Sequence, residues 1–368
     1  MKFICSCQSI RQEIEYAINF SSQKNSLSIA SNVLLENNND ILTVKATDGK
    51  MGFQSTISVS TVIPGSTTVF CDKLVAVLKN MPEGNLEFNE ENGKLTIRPV
   101  DSNTNININM KTMESSRYPE LMSCPDVLYF SLPQKEFNEM VDKTSFAVSE
   151  ETTRFFLTGV YMEKKNDKLV MVATDGRRLA YIGKEFEQEV PDFTPVIIPV
   201  KFLSQVKALS TNEGVFSIAI EGENIYAKIG SRSIYSALIG GQYPNYERVI
   251  PKEFKYECKM RVDDMENAIS LISVLIESKS KRIFIDLNME GVMVSGENTD
   301  YGDSKQIIPC EYEGPAAKIS FNCGLLLPVV KKIESDYFKI SYNTPAAAMV
   351  LTPEPEKDYL YVLMPMQV

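Results

Sequence analysis

Three aspartates sit where apolar runs stop: Asp48 in Ala46-Thr47-Asp48-Gly49, Asp175 in Ala173-Thr174-Asp175-Gly176, and Asp300 in the blurred string Asn298-Thr299-Asp300. A carboxylate beside a glycine turn is a workable general acid or base, and a group of them would suit a carboxylate-dependent hydrolase. Most other chemistry is excluded. The chain has no histidine, so Ser-His and Cys-His nucleophiles and His-ligated metal sites are absent. No Walker-type phosphate loop and no dinucleotide-binding glycine fingerprint is found, and no cofactor is expected. The seven cysteines form no CxxC pair and read as reduced thiols.

The elements that position the aspartates argue against a shared active site. Asp48 and Asp175 lie 127 positions apart, and other features fall into register at that offset. Glu36 to Asp40 matches Glu163 to Asp167, each between short alternating apolar runs, which predicts β-hairpins with Asn/Asp turns. Phe70 to Pro99 matches Ile198 to Gly230, and Phe321 to Tyr342 forms a third copy. Each copy has a helical apolar period followed by alternating strands. Amphipathic helices are expected to open each unit, over Ile10 to Phe20, Gln134 to Phe146 and Asp263 to Ile276.

A repeat this long means copied domains rather than a solenoid. The 368 residues divide into domains 1–125, 126–250 and 251–368, each α+β with two helices and antiparallel strands. This places Asp48, Asp175 and Asp300 in separate domains, so Asp48 and Asp175 read as hairpin corners.

Net charge is −10, which opposes nucleic-acid binding unless basic groups are segregated. They repeat. Lys73 and Lys79 match Lys201 and Lys207, and Lys331 and Lys332 end the third copy of the same helix. The acidic runs at Glu87 to Glu91, Glu185 to Glu189 and Glu354 to Glu356 are expected in turns or loops elsewhere. Lysines at one spot on every domain suit a protein that holds a polyanion by its backbone, without reading sequence.

The chain closely resembles the bacterial DNA polymerase sliding clamps, the processivity β subunits of the replicase, over essentially its whole length. The residues that carry the likeness are the Met1-Lys2-Phe3 start, Arg154 with Leu157 and Gly159, Ala173-Thr174-Asp175-Gly176 with Arg178-Leu179, Tyr243-Pro244 with Tyr246 and Arg248-Val249, and Met364-Pro365-Met366. The resemblance implies three clamp domains per chain and a head-to-tail homodimeric ring around double-stranded DNA, helices lining the hole and sheets outside. It implies no catalysis. It implies polymerase III alpha subunit, clamp loader, and other replication and repair proteins as partners.

By resemblance, Lys24, Lys73, Lys79, Arg154, Lys201, Lys207, Lys331 and Lys332 would meet DNA. Ile108, Val274 and Leu275 would form the dimer contact. A peptide cleft between the second and third domains would use Leu157, Thr174, Gly176, Arg177, Arg178, Leu179, Pro244, Arg248, Val249, Asn322, Leu325 and the terminal residues Val362, Leu363, Met364, Pro365, Met366, Gln367 and Val368. The chain departs from the family pattern at Gln367, where arginine is frequent, and at Arg177 and Leu325, where histidine and tyrosine are common. Ser280 falls near a usual aromatic.

No apolar run reaches the roughly 18 to 20 residues that span a bilayer, and the N-terminus turns polar too soon for a secretory signal, so a cytoplasmic protein without membrane contact is expected. Two rivals stand beside the clamp: the hydrolase above, and a three-domain β-rich scaffold that binds no DNA.

Overall fold

The computed structural model describes residues 1–22, 28–100, 105–122, 127–298 and 300–367. Lys24, Val368 and the expected boundary at Asp126 lie outside the described residues. Six α-helices are found among the described residues: α1 (Cys7–Ala17), α2 (Cys71–Asn80), α3 (Gln134–Thr144), α4 (Val200–Leu209), α5 (Val262–Ile272) and α6 (Cys323–Val330). They alternate with antiparallel strands in the repeating order that the offset predicts. α1, α3 and α5 each pass into a one-turn 3-10 helix, Ile18–Phe20, Ser145–Ala147 and Ser273–Leu275.

The periodicity explains the burial. In α1, Cys7, Ile10, Ile14 and Ala17 face inward at helical spacing; in α5, Val262, Met265, Ala268, Ile269 and Ile272 do the same. The hairpin predicted around Glu36 to Asp40 closes with Asn38 opposite Ile41 and turns through Asn39 and Asp40 with φ of 51° and 60°. Its counterpart turns between Lys165 and Lys168, with Asn166 at φ 53°. Asparagine tolerates this left-handed conformation better than most residues.

The chain forms two compact units. One comprises Met1–Lys135 with Lys201–Leu238. Its long sheet passes from strand Arg232–Ala237 directly to strand Met51–Ser58, with Tyr235 opposite Gly52 and Ile234 opposite Phe53. This first junction between repeats is thus a continuous ladder. Glu13 of α1 reinforces it: its carboxylate accepts from Arg232 Nη2 at 2.6 Å and from Nε at 3.0 Å, and the guanidinium also lies over Tyr16.

The other unit comprises Glu136–Val200 with Ile239–Val368. Strand Arg178–Glu185 pairs with strand Tyr359–Leu363, with Leu179 opposite Val362, which makes the second junction on the same plan. Here the helix end contributes Lys143, whose side chain has no solvent exposure. Its ammonium donates to Lys332 O at 2.6 Å, meets the Glu334 carboxylate at 2.8 Å and lies over the Tyr359 ring.

The acidic stretch around Glu87 corrects the expectation that it occupies a loop. It lies in strand Asn85–Glu91, with Leu86 and Phe88 inward, and Glu87 pairs with Lys2 and Arg98. Cys5, Cys7, Cys71, Cys258 and Cys323 are buried and free, and Cys310 is half-buried and free. No helix among the described residues is long and apolar enough to cross a membrane.

Candidate functional site

The two Thr-Asp-Gly strings fold identically, bond for bond. Asp48 Oδ1 accepts from Lys50 N and Met51 N, and Asp175 Oδ1 accepts from Arg177 N and Arg178 N. Thr47 and Thr174 donate through Oγ1 to the carbonyls of Met51 and Arg178, and accept from Gly49 N and Gly176 N. Gly49 and Gly176 sit at φ 89° and 87°, where a side chain would be strained. The carboxylates are spent on backbone donors, so both aspartates build corners. No metal-holding group of acidic and thiol side chains is found among the described residues.

Asp48 does more than close its turn. Lys201 of α4 donates to its other oxygen at 2.8 Å. Burial alone would raise the Asp48 pKa, but the Lys201 ammonium and the Met51 and Lys50 amides outweigh it and hold the carboxyl below its usual range.

Beyond the Asp175 corner opens a pocket of about 180 Å³. Leu157, Thr174, Gly176, Arg177, Arg178, Leu179, Pro244, Val249, Val362 and Met364 line it, together with Arg154 and Tyr246. Its floor is a buried cluster containing Val170, Val172, Leu179, Tyr246, Val350 and Val362. The floor is fixed from beneath. Tyr246 donates to Glu163 at 2.6 Å and Tyr161 to the other oxygen at 3.0 Å, while Tyr243 stacks on Tyr161. Burial first, and the bond to Glu163 second, push the Tyr161 phenol up to about 12, so these hydroxyls stay protonated donors.

A second pocket of about 380 Å³ adjoins it, lined by Arg177, Arg282, Asn322, Leu325, Met364, Pro365, Met366 and Gln367. The chain's last described residues form its wall because their backbone is tethered: Met364 N donates to Arg177 O and Met366 N to Ser320 O. Arg248 and Leu363 line neither pocket; Arg248 is exposed, and Leu363 is buried opposite Arg178 in the ladder.

Besides Arg177, three arginines shape the two pockets, of which only Arg178 was expected there. Arg154, expected with the DNA lysines, lies on the pocket wall, donating to Glu151 and to Asp175 O; a Cβ added at Gly176 would fall 2.9 Å from its guanidinium. Arg178 donates to Phe146 O at 2.7 Å, Leu325 O at 3.4 Å and Asp175 Oδ2 at 3.2 Å, so it clasps the 3-10 turn after α3, α6 and the corner together. Arg282 and Tyr246 escaped the sequence reading as cleft residues. Tyr246 stood within a quoted motif; Arg282 carried no local signal.

Lys73, Lys79 and Lys201 are exposed on α2 and α4, as is Lys207. Lys331 is exposed and Lys332 half-exposed just after α6. Carboxylates are interleaved with them, contrary to the segregation expected: Glu15 of α1 lies 3.6 Å from Lys79, Glu266 of α5 3.7 Å from Lys331, and Asp142 of α3 3.9 Å from Lys332. Exposed pairs at such distances hold each other by about 1 kcal/mol or less, so the ammonium groups stay available to a competing phosphate.

Ile108 is half-buried in strand Ile108–Met113, which pairs with Lys94–Pro99 along one side and, at Thr112 and Met113, with strand Gly65–Phe70 on the other. On α5 and the turn after it, Val274 is 75% and Leu271 63% exposed, and Leu275 is half-buried.

Family models for the DNA polymerase III beta subunit match the chain three times over: the N-terminal domain at residues 1–122, the central domain at 131–245 and the C-terminal domain at 247–367. The beta sliding clamp of Treponema pallidum is 35% identical with both chains covered completely, and that of Escherichia coli 23% identical over the same extent. Among solved structures, a sliding clamp of Pseudomonas aeruginosa bound to griselimycin superposes with TM-score 0.93 at 24% identity, both chains fully covered. One from Bartonella birtlesii, also bound to griselimycin, gives 0.94 at 24% identity with the same coverage.

Proposed function

The chain belongs to the DNA polymerase III beta subunit family, a family of non-catalytic processivity factors, and from that premise we propose that it closes head to tail into a homodimeric ring around duplex DNA and takes partner peptides in the Leu179 cleft. The observation that carries the ring is the plan of the junctions. Strand Met51–Ser58 joins Arg232–Ala237, and strand Arg178–Glu185 joins Tyr359–Leu363. The same rule applied to the third copy selects strand Gly302–Ile308, an edge of its sheet. Applied to the first copy, it selects the region of Ile108, which stands at the counterpart of Tyr235. The free edge at Gly302–Ile308 and the Ile108 end of strand Ile108–Met113, which meets strand Gly65–Phe70 only at Thr112 and Met113, complete the series when a second chain supplies one of them.

The helix ends agree. Tyr16 and Lys143 grip the next repeat at the inner junctions, and their counterpart in the third copy is Leu271, exposed and apolar beside Val274. Repeat boundaries near residues 126 and 250 follow from this plan. The lysines of α2 and α4, with Lys331 and Lys332, face the DNA backbone by charge alone and give sliding without sequence preference. Polymerase III alpha subunit, clamp loader and repair proteins dock by short peptides with a glutamine and apolar side chains, and tethering raises their effective concentration at the template. Loading onto nicked circular and onto linear DNA tests the ring. Retention on circles and loss from linear ends is expected; equal loss from both would overturn it.

A further inference from the structure

The lysines read as facing DNA do not stand alone. Glu15 of α1 lies 3.6 Å from Lys79, and Asp142 of α3 lies 3.9 Å from Lys332. Glu266 of α5 lies 3.7 Å from Lys331. Asp48 lies 2.8 Å from Lys201, and its other oxygen is held by the amides of Lys50 and Met51. The placing follows the repeat. Glu15 and Asp142 are 142 − 15 = 127 positions apart, so the same turn of the first helix carries a carboxylate in two copies. In the third copy α5 supplies Glu266 instead.

A phosphate that approaches one of these lysines approaches its carboxylate as well. The separations are far inside the Debye length of about 8 Å at physiological salt, so the repulsion cancels part of the attraction. A closed ring is held on duplex DNA by its topology and needs little affinity. Each ammonium–phosphate contact it makes has to be broken again at the next step of sliding.

We propose that Glu15, Asp142 and Glu266 limit the grip of the lysine face on DNA, so that the ring slides on a partly neutralised lining. The inference rests on the DNA-facing reading above and adds to it residues of the opposite sign. Asp48 is left out of the test because it also builds its corner.

The experiment combines Glu15→Gln, Asp142→Asn and Glu266→Gln and measures binding to a short fluorescent duplex by anisotropy along a salt series. The triple variant should bind about tenfold tighter at low salt, with a slope of log K against log salt steeper by about 0.9 for each phosphate gained. Each single variant should show part of the gain, which keeps the test open if the triple variant does not fold. A control carrying Glu187→Gln, Glu189→Gln and Glu290→Gln makes the same change of net charge outside the helices and should bind like the parent. Adding Lys79→Ala, Lys331→Ala and Lys332→Ala to the triple variant should erase the gain. Parent-like or weaker binding in the carboxylate variants, equal tightening in the control, or a gain that survives loss of the lysines would each overturn the proposal. The reading beneath it is tested apart: if the lysine replacements alone leave affinity and slope unchanged, DNA lies against another surface, and this proposal falls with that reading.

Discussion

Tyr235 lies across Gly52 so closely that a Cβ on the glycine would collide with the ring, 2.7 Å from its hydroxyl oxygen. The two are ladder partners at the first junction. At the 127-residue offset they correspond to Leu179 and Val362, ladder partners at the second junction and part of the pocket floor. One junction therefore fills with a tyrosine the place that the other leaves open. Gly52→Val should lower stability by about 2 kcal/mol or more, because the Tyr235 ring would have to leave the buried place it holds. Tyr235→Ala should cost about 3 kcal/mol through the cavity it leaves. Urea denaturation followed by circular dichroism reads both; a change under 1 kcal/mol in both would mean that the packing there is soft.

The open pocket makes its own prediction. For a neutral peptide, Leu179→Ala should weaken binding by about tenfold or more, since part of a buried floor is removed, and Arg177→Ala by about twofold. Deleting Met364 to Val368 should abolish binding while the dimer persists. Fluorescence polarisation with a labelled peptide decides, and parent-like affinity in the truncated protein would move the partner site elsewhere.

Exchange of Lys73, Lys79, Lys201 and Lys207 for alanine should flatten the salt dependence of DNA binding. The slope of log K against log salt falls by about 0.9 for each phosphate that the protein no longer neutralises. An unchanged slope would place the DNA-facing surface on other residues.

Ile108→Asp and Leu275→Asp, each alone, should give folded monomers, because a charge buried in an apolar interface without a partner outweighs what the remaining edge offers. Light scattering reads the mass and circular dichroism the fold. A dimer in both variants would refute the edge assignment.

Acid should loosen the first junction. The folded pKa of Asp48 lies below its unfolded value, so its contribution is fully present above the unfolded pKa of about 4 and is lost as pH falls through the folded pKa. The stability gap between the parent and Asp48→Asn should be constant from neutral pH to about 5 and close at lower pH. Denaturant midpoints measured along a pH series check the direction; a gap that widens in acid would contradict it.

The architecture was legible because a copied domain leaves a constant offset, and because inward positions keep helical or alternating spacing in each copy. The cleft was legible where its residues belong to one local string, as Thr174 to Leu179 do. Arg154 was not: it sits at φ −108° and ψ 57° between two short turns, and that break aims its side chain at the corner rather than along a helix face. Arg282 reaches its pocket only through the pairing of its strand with Asn322, which no local pattern encodes. The loop reading of Glu87 failed on composition; the alternation of Leu86 and Phe88 with acidic neighbours was the better guide.

The thiols described above give the molecule an internal clock. Burial lifts Cys5 and Cys71 up to about 12, so almost no reactive thiolate exists on them at neutral pH while the fold is closed. An alkylating reagent can label them only during excursions in which α1 and α2 part from the sheet, and the labelling rate under weak denaturant then counts those excursions one molecule at a time. Cys310, on the other unit, is half-buried, and burial raises its thiol pKa as well, so it reports the same kind of event from a shallower depth.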